Sequence, residues 1–158
     1  MSAVVHAVLA GVWLGGVVFT TFVVSPALKA MKWEEAERVQ VRSRIGKQYA
    51  KVGSVNLALL VVFAVLDGLF AGFGAVFYVE YVLLVILVGL VAWHGAYFGA
   101  RLRGLAEAEE RAGREGQEKE ARAIAGRRRE LQRLSLWVSR ADLLVSAVVA
   151  VLAVQHFG

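Results

Sequence analysis

Four side chains of this chain, His6, Asp67, Glu80 and His156, stand in otherwise apolar runs and are of types that ligate a divalent metal. Imidazole nitrogen and carboxylate oxygen suit Cu(II) or Zn(II). The same types can hold or pass a proton. A third histidine, His94, lies between Trp93 and Tyr97. His6, His94 and His156 are the imidazoles open to haem iron, which a membrane bundle commonly holds between two histidines on different helices. Within the chain the spacings repeat. His6, Trp13 and Thr20 recur every seven residues, Asn56 and Asp67 are eleven apart, and Glu80–His94 and Asp142–His156 are each fourteen apart. At 3.6 residues per turn, each set draws one polar stripe along one helix face.

The elements that must position these residues are long and apolar. Of 158 residues, 58% are hydrophobic, one is proline and none is cysteine. The bias comes from four stretches, about residues 3–25, 52–72, 76–100 and 134–156. Each is long enough to cross ~30 Å of hydrocarbon at 1.5 Å per residue. Whole segments are apolar rather than one face of each, so the sequence predicts an all-α, polytopic four-helix membrane bundle forming a single domain. The first stretch lacks a basic n-region and exceeds a typical h-region, so it reads as a span and not as a cleaved signal peptide.

All 18 lysines and arginines lie in two places, Lys29 to Lys51 and Arg101 to Arg140. Loops rich in Lys and Arg stay cytoplasmic, which places both chain ends outside. The expected localisation is a prokaryotic-type inner membrane, crossed several times. The net charge of +5 is then a matter of membrane orientation and no sign of nucleic-acid binding. The topology brings His6, Asp67, Glu80 and His156 toward the outer surface. Asp67 and Glu80, seven and six residues either side of Gly74, fall at matching depth. A second tier of Asn56, His94 and Asp142, with Thr20 nearby, falls toward the cytoplasm; Asp142 has Arg140 or His94 as candidate partners.

Between the spans, residues 26–51 form a loop in which WEEAERVQVRSRIGKQY reads as a short amphipathic helix lying at the interface, with Trp33 and Tyr49 at headgroup level. Residues 101–133 read as the third and fourth helices continuing into the cytoplasm as a charged helical hairpin, broken at Gly113 and Gly116. Small residues four apart (Ala7, Gly11 and Gly15; Ala64, Gly68 and Gly72; Gly95 and Gly99) mark faces where helices pack closely, including a face for a homodimer.

Without cysteine the chain makes no disulfide, thiolate metal site or cysteine nucleophile. With methionine only at positions 1 and 31, a soft Cu(I) site is also disfavoured. No phosphate loop, nucleophile elbow or HExxH is present, so chemistry by the protein alone is not expected.

His6, followed by Trp13-Leu-Gly15-Gly16 and by Pro26 at the end of the first helix, resembles the H…WxGG…P helix of the copper-resistance protein D (CopD)-like membrane families, and the Arg42–Tyr49 stretch is similar as well. The resemblance implies a small helical membrane domain linked to copper, with His6 as a metal or haem ligand. This chain is shorter than the longer members and has no methionine-rich segment.

Three functions follow as expectations. One is handling of a metal, copper first, at an outer site of His6, Asp67, Glu80 and His156. Another is a b-type haem electron carrier, and a third is a cofactor-free scaffold working through its small-residue faces and charged hairpin. Proton coupling through Asp67 and Glu80 is a further possibility that the residue types leave open.

Overall fold

A computed structural model describes residues 2–33, 35–72 and 74–155. Four helices fill it: α1 (Ser2–Ala30), α2 (Glu35–Ala71), α3 (Ala75–Arg114) and α4 (Glu118–Gln155). No strand occurs among the described residues. Each helix contains a window apolar enough to cross a membrane, and at most 28% of any such window is buried inside the protein. The remainder faces outward; Val85, in mid-helix, is 72% exposed. An apolar exterior on this scale is stable in lipid and not in water. The chain is a four-helix bundle of the multi-pass membrane type.

The helices exceed the membrane. At 1.5 Å per residue the 40 residues of α3 and the 38 of α4 reach roughly 60 Å against ~30 Å of hydrocarbon. Their charged halves stand out together as the helical hairpin expected from the sequence. Its turn is a Schellman motif: Gly116 takes φ +71°, Gln117 N–H donates to Ala112 O, and Gly116 N–H donates to Gly113 O. At the other end, Gly72 at φ +84° starts the tight turn from α2 to α3.

The interval between the first two spans differs from the expected loop. α1 runs on to Ala30 and α2 already begins at Glu35, so only residues 31–34 separate them. The expected interfacial helix is instead the opening of a 37-residue helix. Its Glu, Ala, Arg, Lys and Gln are good helix formers, and no proline interrupts them before the membrane.

Two π-helical turns break the regular ladder, Thr20–Val24 in α1 and His94–Phe98 in α3. The first has a local cause. Pro26 has no N–H to donate and its ring crowds the carbonyl four residues back, and the wider turn just before it relieves that contact. Ser25 donates from both its backbone N–H and its Oγ to Thr20 O, while Thr20 Oγ1 donates to Gly16 O and Val17 O.

In the bundle α1 packs on α2 and α4, and α4 packs on α3; among these neighbouring helices α2 and α3 touch least. The core is small: Ala10, Trp13 and Val17 of α1 meet Leu57, Leu60 and Ala64 of α2, Leu84 and Leu87 of α3, and Val149 and Ala153 of α4.

The small-residue stripes do not all serve this core. A Cβ added at Gly11, Gly15, Gly95 or Gly99 would meet nothing within 4 Å, so those glycines are not sites of close helix approach within the bundle. The close approach is at Gly16, where a Cβ would come within 2.7 Å of Tyr49 Oη, and at Gly53, 3.4 Å from Trp13 Cζ3. Tyr49 is thus tucked against α1 and half-buried.

Candidate functional site

His6 lies one turn into α1, on the face that carries Ala10, Trp13 and Val17 into the core. Asp67 is one turn before the end of α2, and Glu80 is in the second turn of α3. The short α2–α3 turn holds the two carboxylates at one depth, and α1 brings the imidazole between them. All three are buried: His6 and Glu80 at 0% exposure and Asp67 at 3%.

The imidazole uses both edges. His6 Nδ1 lies 3.0 Å from Asp67 Oδ2, and His6 Nε2 lies 3.2 Å from Glu80 Oε1. An imidazole with one N–H can donate to only one of these carboxylates. The other nitrogen then turns a lone pair toward an oxygen, and that contact is favourable only with a second proton in it, carried by the ring or by the carboxyl group. With one proton beyond that of a neutral ring, the group would carry a net charge of −1 whether the ring or a carboxyl group holds it. Burial strengthens both contacts and makes the loss of either costly.

The layout also bears on metal binding. Asp67 Oδ2 occupies the Nδ1 direction along which a metal would bind, and Glu80 lies at the opposite ring edge, so the three do not point at a common centre. No group of three or more His, Asp or Glu side chains has a metal-holding arrangement among the described residues. Of the four residues expected to form the outer metal site, His6, Asp67 and Glu80 come together; His156 lies outside the described residues.

Deeper in the bundle, Trp13 Nε1 donates to Ser146 Oγ at 3.0 Å, which joins α1 to α4. Asn56 Nδ2 donates to Leu9 O at 3.1 Å. Tyr81 Oη donates to Ala64 O at 3.0 Å, the contact that ties α3 to α2 just behind Glu80. The second-tier residues have separate surroundings. His94 begins the π turn of α3 with its ring 5.4 Å from that of Phe98. Asp142 Oδ1 is buried without a hydrogen-bond partner among the described residues. Arg140 makes no ion pair with it and instead lies over the Trp137 ring at 5.3 Å. Two residues apart on a helix, Arg140 and Asp142 project on different faces, which is the physical reason that this pairing fails.

Sequence reasoning missed Tyr49 and Tyr81 as inward-facing polar groups. Tyr49 carries a signal in retrospect, since a tyrosine four residues before Gly53 shares its face.

Residues 8–111 match the model of a protein family described as a domain of unknown function, DUF4149. The match takes in more than half of the 158 residues, and the chain belongs to that family. No curated protein and no solved structure matches it.

Proposed function

We propose that this DUF4149 member is a proton-handling membrane protein whose working element is the His6–Asp67–Glu80 group. The observation that supports it is the placement of one buried imidazole with a different carboxylate at each ring nitrogen. In such a relay Asp67 passes a proton to Nδ1 as Nε2 releases one to Glu80. One N–H bond forms at the ring as another breaks, and the charge of the group is unchanged. An ionisable residue costs about 2.5–3.5 kcal/mol at a helix centre on insertion scales, so three together in a small bundle are retained for use more readily than for stability. In this proposal the charged end of the bundle is cytoplasmic, in a prokaryotic-type inner membrane, and the relay lies near the outer face. The outward Gly11–Gly15 edge of α1 is the face for a second copy.

Infrared difference spectroscopy of the purified protein across a pH titration tests the relay. A carboxyl carbonyl band that appears and vanishes with pH, and is lost in Glu80→Gln or Asp67→Asn, is the expected result. A spectrum with no such band at any pH overturns it.

Copper handling is the second reading, and the donor chemistry favours it, since imidazole with two carboxylates is a set that Cu(II) or Zn(II) accepts. The ion would have to replace the proton, because both ring nitrogens of His6 already face oxygen. Haem b meets the same obstacle at His6. Metal analysis of tag-free protein separates these readings: near-stoichiometric copper or zinc that is lost in His6→Ala establishes a metal site, and iron with a Soret band establishes haem.

A further inference from the structure

Three arginines of the hairpin are neutralised within the chain: Arg114 pairs with Glu110, Arg122 with Glu118, and Arg128 with Glu109. Three others, at the boundary between the charged and apolar halves, are not. Arg101, Arg133 and Arg140 are exposed and make no ion pair among the described residues.

Two of these arginines are instead backed by aromatic rings. Arg101 lies 5.7 Å from the centre of the Tyr97 ring, and Arg140 lies 5.3 Å from that of Trp137. Both rings are exposed, Tyr97 at 40% and Trp137 at 67%. Exposed tyrosine and tryptophan at the end of an apolar span sit at headgroup level. The arginines reach that level from opposite sides. Arg101 is one turn beyond Tyr97 toward the hairpin, whereas Arg140 is three residues deeper than Trp137 and snorkels back across its ring. Arg133 stands one turn outside Trp137 on the same face of α4. Adjacent helices thus carry three uncompensated guanidinium groups around one aromatic level.

We propose that Arg101, Arg133 and Arg140, on the platform of Tyr97 and Trp137, bind the phosphate of an anionic phospholipid headgroup. A guanidinium fork matches two phosphate oxygens, and an aromatic backing holds it in place without neutralising its charge. The zwitterionic phosphatidylcholine headgroup carries its own cation and answers this charge less well.

The test uses the full chain in mild detergent, with phosphatidylglycerol or phosphatidylcholine added at equal concentration and the bound lipids counted by native mass spectrometry. Phosphatidylglycerol is expected to be retained preferentially. Each guanidinium removed is expected to weaken retention about five-fold, so Arg101→Gln with Arg133→Gln and Arg140→Gln abolishes the preference. Arg114→Gln with Arg122→Gln, which removes paired charges, is expected to leave it intact. Equal retention of the two lipids by the unmodified chain overturns the proposal. So does a triple variant that still prefers phosphatidylglycerol, or an equal loss in the paired-charge control, which would make net charge the cause. If circular dichroism shows the triple variant unfolded, Arg133→Gln alone carries the test, and an unchanged preference in it overturns the proposal.

Discussion

Gly16→Ala gives the sharpest check on how α1 seats against α2. A Cβ at this position would lie 2.7 Å from Tyr49 Oη, 3.0 Å from Cε2 and 3.3 Å from Cζ. Ordinary non-bonded contact begins near ~3.5 Å, so the tyrosine must retreat by about 0.8 Å. Overpacking of this kind costs about 1–3 kcal/mol. Alanine for glycine in a helix returns about 0.5–1 kcal/mol, which leaves a net loss of roughly 0–2.5 kcal/mol. Gly15→Ala supplies the internal reference, because nothing lies within 4 Å of a Cβ there. The helix gain is common to both variants, so their difference isolates the steric term at about 1–3 kcal/mol. Reversible unfolding in mixed micelles, followed by tryptophan fluorescence, reads it directly. A Tyr49→Phe background removes the closest contact and should recover part of the loss, while Cε2 and Cζ remain tight. If Gly16→Ala and Gly15→Ala are equally stable, or Tyr49→Phe recovers nothing, the packing argued for α1 and α2 is wrong.

Three further outcomes are expected. Ser146→Ala leaves Trp13 Nε1 buried without its acceptor and should cost about 1–3 kcal/mol in the same assay, with much of it recovered when Trp13→Phe is added. His6→Ala removes the group that Asp67 and Glu80 share and should destabilise the bundle by about 3–5 kcal/mol, and adding Asp67→Asn with Glu80→Gln should restore most of the loss. Gly116→Ala forces a β-carbon into a left-handed turn at a cost of about 1–2 kcal/mol; hydrogen exchange should quicken in the α3–α4 hairpin while the membrane core keeps its protection.

The membrane class and the hairpin were legible because they depend on composition and length, which need no three-dimensional context. The matching depth of Asp67 and Glu80 was legible for a similar reason: it follows from counting residues from Gly74. Depth does not fix azimuth. Nothing in the spacing says that His6 turns one nitrogen to each carboxylate, and this is the detail that bears on proton against metal. The outward placement of Gly15 was available from the helical wheel, since nine residues from His6 at 100° per residue put it on the opposite side. A spacing of four between small residues selects a face without saying what covers it. Tyr49 escaped because aromatic residues near a span end are ordinarily interfacial, and only the missing Cβ of Gly16 gives this one a seat in the bundle.

The two π turns have a mechanical consequence. Each is a dislocation, one surplus residue in an otherwise regular ladder, and such a defect can shift along a helix by exchanging one hydrogen bond for its neighbour. Both occur in the parallel pair α1 and α3, each starting fourteen residues past His6 or Glu80, while α2 and α4 run through without one. The defects thus fall in the helices that carry His6 and Glu80, while Asp67 and Ser146 stand on regular helices. In the proposed relay, a shift of either defect would turn the imidazole or one carboxylate against the second carboxylate.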